Sequence, residues 1–392
     1  EVHTGLLDKD DAVSLFKGEK VRTENFSLGS VITKPLTSLQ AERIKALKLS
    51  HLRYDYHLSN PDLHTEAIFE QVRELGVKLL LAVFLTDSRE KELNILEKTI
   101  EENKNCIEGI VVFKEGEKVI PEGLLRYVRS RLVRFGIPVG SGTDAFFTQI
   151  NRQRLPGDLM DFVCYSNNPQ VHAFDNDSIM STVEGQAANL SSCAHLYPKL
   201  PVWVTPVTLK MRWNPDATGE AIIRKGEIPP DTDIRQMSLF TASWFLRSLA
   251  SCLLGGALGA TYFELTGCKG IMEEESPSRD FLFPSAPDML YPVYFAFLAV
   301  RGLKEADTSV QIAEDVTSFV MRNGGRTRII LANPRDERVK LRLDDVPSSV
   351  RGIMIDEHSA PKLAGAKLVS DLRDYFESYN LNGEILMESY SI

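Results

Sequence analysis

The stretches VKLLLAVFL, over residues 77–85, and IEGIVVF, over residues 107–113, decide the fold class of this 392-residue chain. Both are almost continuously apolar, whereas a strand with one face in water alternates apolar and polar residues. Strands that are buried on both faces belong to parallel sheets, in which crossover helices cover either side. The two stretches therefore predict an α/β protein.

Similar runs recur along the chain at intervals that leave room for a helix between them. We predict eight strands, over residues 28–33, 51–57, 77–85, 107–113, 137–143, 160–166, 201–208 and 260–265. Amphipathic stretches predict helices over residues 38–47, 65–75, 90–103, 122–135, 178–195, 234–254 and 291–301. Eight βα units favour a closed (β/α)8 TIM barrel. An open doubly wound sheet is the alternative, but no GxGxxG follows the first strand and no GxxxxGK[ST] occurs.

The pattern changes after residue 304. Short alternating runs are separated by polar turns such as NGG and NPRDE, and they cover residues 316–321, 327–332, 339–343, 350–356 and 384–388. This pattern predicts a small antiparallel β-sandwich. We therefore divide the chain into an N-terminal segment (1–26), a barrel (27–304) and a C-terminal sandwich (305–392). The N-terminal segment is too short for a domain, and we expect it to add a strand to the sandwich or to link to preceding sequence.

The overall composition argues against several classes of protein. The net charge of −9 comes from well-mixed acidic and basic residues, without the basic stripe that nucleic-acid binding requires. The longest apolar stretch, residues 245–260, is interrupted by Arg247 and is too short to cross a membrane. The chain begins at Glu1 rather than Met, so we expect that a signal peptide or an upstream domain preceded it. The compartment is therefore not predicted from the N-terminus.

Polar residues at the carboxyl ends of the predicted strands are the candidates for function, because TIM barrels place their active sites there. The candidates are Lys34, Arg53, Asp55, His57, Glu115, Asp144, Asn168, Gln170, His172, Lys210, Arg212 and Glu264. Within RYDYHL, residues 53–58, three of them alternate and so share one face of a strand. Two interpretations of these three residues are open: they contact substrate, or they form a buried ion pair between strands.

Three segments concentrate these candidates. YSNNPQVHAFDND, residues 165–177, offers amides and His172 to a polyhydroxylated ligand; an Asx-rich turn is the alternative. ATYFELTGCKG, residues 260–270, places Glu264 in an apolar strand, which makes it the first catalytic candidate; a structural ion pair is the alternative. VWVTPVTLKMRWNP, residues 202–215, brings two cations to the rim, where they can stabilise an oxyanion or remain solvated surface.

Two kinds of chemistry lack their usual motifs. The chain has no HxH, HExxH or close Cys/His cluster, so no metal and no other cofactor is predicted. Asp55, His57 and His172 could still converge on a metal from separate strands. There is no GxSxG elbow, so a serine hydrolase mechanism is not supported.

The order of a barrel followed by a sandwich, closing on a short strand such as GEILMES, resembles a large clan of glycoside hydrolases. In that clan the acid/base carboxylate follows the fourth barrel strand, where this chain has Glu115. A nucleophilic glutamate ends the seventh strand, where this chain has Pro206. A retaining mechanism requires two carboxylates about 5–5.5 Å apart. The missing glutamate therefore argues against such an activity, unless Glu115 and Glu264 replace the pair.

Four segments together resemble the D-apionate lactonase family, over residues 144 to 273, namely YSNNPQVHAFD, PVWVTPVTLKMRWNP, DIRQMSLFTASWF and TYFELTGCKGIME. The resemblance implies an enzyme with a glycosidase-like fold. Such an enzyme opens a sugar lactone to the aldonate, in the catabolism of the branched plant sugar apiose. It implies a small carbohydrate or sugar lactone as partner, with no cofactor. A lactonase is expected in the cytoplasm and a glycosidase in the periplasm or outside the cell; the oligomeric state is not predicted.

Lactone hydrolysis requires attack of water on a carbonyl, stabilisation of the oxyanion and protonation of the leaving ring oxygen. We expect Glu264 or His172 to act as base, Lys210 or Arg53 to lie near the oxyanion, and the remaining histidine or Glu115 to act as acid. The residues expected to bind sugar hydroxyls are Asn168, Gln170, Asp55 and Asp144. The alternative functions are a glycoside hydrolase acting on plant-type glycosides and an inactive barrel that binds carbohydrate.

Overall fold

The computed structural model describes residues 17–61, 63–217, 223–343, 349–367, 377–380 and 383–392. The strands are β1 (Glu19–Val21), β2 (Ser27–Val31), β3 (His51–His57), β4 (Lys78–Leu85), β5 (Ile107–Lys114), β6 (Val139–Phe146), β7 (Phe162–Asn167), β8 (Val202–Val207), β9 (Gly259–Thr266), β10 (Gly270–Met272), β11 (Asp307–Ile312), β12 (Thr317–Asn323), β13 (Arg326–Ala332), β14 (Val339–Arg342), β15 (Ser349–Gly352), β16 (Glu377–Asn380) and β17 (Glu384–Met387). The helices are α1 (Ser38–Leu47), α2 (Thr65–Leu75), α3 (Arg89–Asn103), α4 (Glu122–Leu132), α5 (Thr148–Arg152), α6 (Asn176–Ser181), α7 (Glu184–Leu196), α8 (Leu239–Leu254), α9 (Pro292–Ala299) and α10 (Ala360–Leu363).

Strands β2 to β9 form a closed parallel barrel. Each strand pairs with the next along the chain, and β9 pairs with both β8 and β2, which closes the sheet. The predicted (β/α)8 fold is confirmed, and all eight strands begin and end within three residues of the predicted bounds. The carboxyl ends of the eight strands therefore meet at one mouth.

Two of the predicted helices are interrupted. The predicted helix over residues 178–195 is divided into α6 and α7, and α6 begins early because the Asp175 side chain accepts a hydrogen bond from Ser178 N (2.9 Å). The predicted helix over residues 234–254 begins as a 3₁₀ turn, Ile234–Met237, and α8 starts only at Leu239. The two breaks lie in the connections that follow β7 and β8.

The interior of the barrel is apolar on one side and polar on the other. Apolar side chains from β4, β5, β7 and β8 pack together, namely Leu80, Ala82, Phe84, Val111, Phe113, Phe162, Cys164 and Trp203. On the polar side, the fully buried ring of His51 is hydrogen-bonded to Ser27 Oγ (2.9 Å) and Thr261 Oγ1 (2.8 Å). Gly29 makes room for this ring, because a Cβ there would lie 2.4 Å from it. Thr205 donates its hydroxyl to Thr261 and continues the polar side toward the mouth.

We predict that His51 makes the protein less stable in mild acid. Burial, and then the charge of Arg53, lower the pKa of His51 to about 3 from 6.5. Below pH 6.5 the unfolded chain therefore binds a proton that the folded chain does not, and the free energy of unfolding falls. The expected loss from this group between pH 6.5 and 5 is about 2 kcal/mol.

Urea denaturation at several pH values between 5 and 7.5 measures this effect, in a range that lies above the ordinary pKa values of carboxylates. His51→Gln should flatten the pH dependence, whereas the matched variant of an exposed histidine, His195→Gln, should leave it unchanged. An equal slope in His51→Gln and the unaltered protein would show that His51 is not the group responsible.

The C-terminal part of the chain folds into antiparallel sheets, in agreement with the predicted fold class. Strands β1, β11, β12 and β13 form one sheet, so the N-terminal Glu19–Val21 pairs with Asp307–Ile312. Strands β14 and β17 form a second pair, and β15 and β16 form a third. Apolar side chains pack between these layers, namely Val316, Val320, Val339, Leu341, Leu343 and Met387. The domain boundaries at residues 26 and 304 stay predictions.

Helix α8 is buried between the barrel and the sheet that contains β11 and β12. Its Arg247 donates from Nη1 to the carbonyl of Ala313 (2.7 Å), and Ser243 donates to the carbonyl of Asn333 (2.6 Å). The long apolar run that begins at residue 245 therefore belongs to a packed helix. Within the described ranges, no helix is both long and apolar enough to cross a membrane.

Candidate active site at the mouth of the barrel

Two arginines and two aspartates form a network of ion pairs at the mouth. Arg53 on β3 donates from Nε to Asp55 Oδ1 and from Nη2 to Asp144 Oδ1, both at 2.7 Å. Arg212, which follows β8, donates to the second oxygen of Asp55 and, at 3.3 Å, to Asp144 Oδ1. Each aspartate is shared between two guanidinium groups, so the four charges balance.

The pairing fixes the charge states within this network. Burial alone would raise the pKa of Asp55, but the charges of Arg212 and Arg53 outweigh it and hold that pKa well below its usual range. Burial alone would lower the pKa of Arg212, but Asp55 and Asp144 outweigh it and raise that pKa above its usual range. Asp55 and Arg212 are therefore both charged at neutral pH.

Arg53 forms the base of the network and does not reach the cleft. Its side chain is completely buried, and its remaining donor, Nη1, contacts Thr205 Oγ1 (3.3 Å). All three branches of its guanidinium are bound to protein, and the expectation that Arg53 contacts substrate or an oxyanion stays a prediction. Arg53 holds Asp55 and Asp144, whose side chains remain 13% and 12% exposed and are the groups that the network presents.

Glu264 reaches the mouth because β9 bulges at the preceding residue. Thr261 points into the barrel toward His51, so strict alternation would send Phe263 inward and Glu264 outward. Phe263 instead has a φ of 55°, in the left-handed region, and β9 gains one residue relative to β2. The Phe263 ring packs outward against Trp244 of α8, with ring centroids 6.1 Å apart. The bulge thereby turns the Glu264 carboxylate toward the mouth.

Glu264 lines a small recess beside the Arg/Asp network that is partly open to solvent. Its Oε1 lies 3.1 Å from Lys269 Nζ, and the same ammonium donates to Asp231 Oδ2 (2.9 Å). Burial alone would lower the pKa of Lys269, but Glu264 and Asp231 outweigh it and raise that pKa. The structural ion pair considered as the alternative for Glu264 is thus present. The carboxylate nevertheless still faces the recess, with 21% of its side chain exposed.

Among the described residues, Lys210 is the cation lining this recess that has no carboxylate bound to it. Its side chain lines the recess together with Glu264 and Arg212 and is half-buried. Arg212 and Lys269 are both paired with aspartates, whereas Lys210 forms no ion pair with the described residues. Its ammonium is therefore available to an anionic or carbonyl oxygen of a ligand.

His57, at the end of β3, is paired with Glu115, which follows β5. His57 Nδ1 lies 2.6 Å from Glu115 Oε1, and the ring stacks on Phe84 with centroids 4.4 Å apart and planes 10° apart. Phe84 belongs to β4, which lies between β3 and β5, so the pair spans the intervening strand. The two side chains remain 48% and 36% exposed. The sequence pattern predicts both residues at the rim but does not pair them.

Buried polar contacts hold the loop after β7. Gln170 is buried and donates from Nε2 to the carbonyl of Leu209 and to Asp233 Oδ2, both at 2.7 Å, while its Oε1 accepts from Arg235 (3.0 Å). Its amide thus joins the loops after β7 and β8, and the expectation that Gln170 binds sugar hydroxyls stays a prediction. Asn168 Oδ1 is buried and has no hydrogen-bond partner among the described residues.

His172 and Lys34 lie at the edges of the site. His172 is exposed, and no hydrogen bond from the described chain orients its ring. Lys34 Nζ lies 2.5 Å from Glu274 Oε1, with 41% of its side chain exposed. The expected roles of both residues stay predictions, as do those of Glu115, Glu264 and the remaining candidates.

Three residues that shape the site are not predicted by the sequence pattern. Lys269 lies five positions after Glu264 within ATYFELTGCKG, so the sequence contained a signal from which their ion pair could have been predicted. Asp231 lies in the long connection before α8, and Thr205 lies inside an apolar strand; neither carries a motif. Among the described residues, no group of three or more histidine, cysteine, aspartate or glutamate side chains is arranged to hold a metal ion.

A closed barrel with carboxylates, a lysine and a histidine–glutamate pair at its mouth defines a TIM-barrel protein with a candidate active site at its strand ends. The family described as D-apionate lactonase, TIM barrel domain, matches residues 32–305. This chain belongs to the D-apionate lactonase family. A D-apionate lactonase from Brucella anthropi is 33% identical over 183 residues, which are 46% of this chain and 29% of that protein. The match thus spans less than a third of the relative.

Solved structures of glycoside hydrolases have the same fold. A glycoside hydrolase family 30 endoxylanase from Clostridium papyrosolvens C71 gives a TM-score of 0.59 at 12% identity and covers 97% of both chains. A family 30 subfamily 8 xylanase from Clostridium acetobutylicum gives 0.54 at 12% identity and covers 96% of this chain and 95% of its own. At this identity the similarity establishes the fold alone.

Proposed function

We propose that this chain is a hydrolase that opens a sugar lactone to the aldonate at the mouth of the barrel. Its membership of the D-apionate lactonase family supports this reaction, and the name of the Brucella relative favours a branched substrate such as D-apionolactone. The observation that carries the proposal is that β8 has no carboxylate. Its sequence VWVTPV offers no carboxylate at the strand where the glycosidases that it resembles place their nucleophile.

The hydroxyl nearest to that position is already engaged. Thr205 donates to Thr261 Oγ1 (2.8 Å) and accepts from Arg53, and it is completely buried. A retaining glycosidase needs a nucleophile on this strand to form a covalent intermediate. Opening a lactone needs only activated water, an electrophile for the oxyanion and a proton for the leaving oxygen. The residues of the mouth therefore suit the second reaction better.

The chemistry assigns a role to each side of the recess. The oxygen of a water molecule bonds to the lactone carbonyl carbon, and the carbonyl oxygen becomes an oxyanion, which Lys210 stabilises by charge. Glu264 accepts a hydrogen bond from the attacking water and orients it. The water loses one proton as its oxygen bonds to carbon. When the tetrahedral intermediate collapses, the bond to the ring oxygen breaks and that oxygen takes up one proton, so that lactone and water give one hydroxy acid. Asp55 and Asp144 accept hydrogen bonds from the hydroxyls of the sugar.

A substrate panel tests the proposal. The purified chain is given D-apionolactone, an unbranched aldonolactone and nitrophenyl glycosides, and the acid released is followed in a pH-stat. We expect acid release from D-apionolactone at least about a thousandfold above its spontaneous hydrolysis, and no nitrophenol. Cleavage of glycosides without lactone opening would favour a glycoside hydrolase. Calorimetric sugar binding without turnover would favour a carbohydrate-binding barrel, and either result overturns the proposal.

A further inference from the structure

The pair formed by His57 and Glu115 has the geometry of a histidine that is held for proton transfer. The distance of 2.6 Å between Nδ1 and Oε1 is that of a strong, charge-assisted hydrogen bond. The flat stack on Phe84, with planes only 10° apart, fixes the plane of the ring. Two independent contacts thus orient the imidazole, although nearly half of its side chain is exposed.

The partner of Nδ1 determines which ring nitrogen is free. An ionised carboxylate only accepts hydrogen bonds, so Nδ1 carries the proton that Glu115 accepts. In the neutral imidazole Nε2 then has a lone pair and is the basic nitrogen. No described residue is hydrogen-bonded to Nε2, so it is available to a water molecule or a ligand. A base oriented by a carboxylate in this way is a recurrent arrangement in acyl transfer.

The pair is connected to the recess through the Arg/Asp network. His57 lies two residues after Asp55 and on the same face of β3. Asp55 is bound to Arg212, and Arg212 lines the recess beside Glu264 and Lys210. The other histidine considered for catalysis, His172, is exposed and is not oriented by any hydrogen bond within the described chain.

We propose that His57 is the proton carrier of lactone opening and that Glu115 is its positioning residue; this inference rests on the proposed function. His57 Nε2 takes a proton from water as the water oxygen bonds to the carbonyl carbon. The imidazolium, stabilised by Glu115, then gives the proton to the ring oxygen as the bond between carbonyl carbon and ring oxygen breaks. The products are the neutral enzyme and an aldonic acid, which loses its proton to solvent.

The test compares three variants on D-apionolactone by initial rates. His57→Ala should lower kcat by about 100- to 10,000-fold and change KM by less than about threefold. Added imidazole should enter the space above Phe84 and restore kcat of His57→Ala at least about tenfold. Glu115→Gln should lower kcat at least about tenfold, since an amide no longer fixes the tautomer, and imidazole should not rescue it. The matched control, His195→Ala, removes an exposed histidine of α7 outside the candidate site and should stay within about twofold of the unaltered chain.

The outcomes separate this inference from the proposed function. If the unaltered chain opens no lactone, the proposed function fails and the inference falls with it. If the unaltered chain is active and His57→Ala retains its kcat, or if His195→Ala loses as much activity as His57→Ala, the inference alone is overturned. His57→Gln, which keeps a planar group on Phe84, repeats the test should His57→Ala unfold at a lower temperature than the unaltered chain. Full activity of a folded His57→Gln variant would equally contradict a proton-carrying role.

Discussion

Arg53→Met is expected to lower the free energy of unfolding by about 3–5 kcal/mol, because it removes one side of a buried ion-pair network and leaves the other side unpaired. Arg53 is completely buried, and Asp55 and Asp144 both accept hydrogen bonds from it at 2.7 Å. Arg212 alone would then have to balance two carboxylates that are almost out of contact with water. Methionine fills most of the volume, so the loss reports mainly the uncompensated charge.

Urea denaturation followed by tryptophan fluorescence measures the loss, since Trp203 lies inside the barrel. The control is Lys45→Met, which breaks the exposed pair of Lys45 with Glu42 on α1 and should change the free energy of unfolding by less than about 0.5 kcal/mol. Arg53→Lys keeps the charge but not the planar fork, so it should also destabilise the fold, by about 2 kcal/mol or more. A change of under about 1 kcal/mol in Arg53→Met would contradict a structural role for the network.

The fold could be predicted because its signals are local. Runs such as residues 77–85 and 107–113 are almost continuously apolar, as strands buried on both faces are. The short β10 could not be predicted, because three residues show no period. Alternation within RYDYHL also placed Arg53, Asp55 and His57 on one face correctly, since that rule depends on a single strand.

The roles of the site residues could not be predicted, because they depend on partners far away in sequence. Arg53 is paired with Asp144, 91 positions away, and Asp55 is bound by Arg212, 157 positions away. Without those partners, a ligand-binding arginine and a buried structural arginine look the same in the sequence. The pairing of His57 with Glu115 is likewise invisible until β3 and β5 lie on either side of β4.

The direction of the Glu264 side chain shows a second limit of prediction from sequence. Strict alternation from Thr261 predicts that Glu264 points away from the barrel interior, yet the sequence alone made it the first catalytic candidate on grounds of charge. The left-handed backbone of Phe263 resolves the conflict, and no sequence signal marks it, because phenylalanine rarely adopts that conformation. Such strained positions are concentrated near functional sites, where a bulge re-aims one side chain.

Glu264→Gln should lower kcat/KM for the lactone by about 100-fold or more while leaving the fold intact, because an amide cannot hold the attacking water as a carboxylate does. The expected loss of stability is below about 1 kcal/mol, since Lys269 keeps Asp231 as a partner and the pair is partly exposed. The matched control is Glu97→Gln, which removes another ion-paired and largely buried glutamate, on α3 beside Arg131, and should leave kcat/KM within about twofold. Initial rates in a pH-stat, with thermal unfolding of each variant, measure both quantities. Equal kcat/KM in the two glutamine variants would contradict a catalytic role for Glu264 and leave it only the ion pair with Lys269. Asp55 and Asp144, the carboxylates that the network presents at the mouth, would then be the candidates for the group that orients the water.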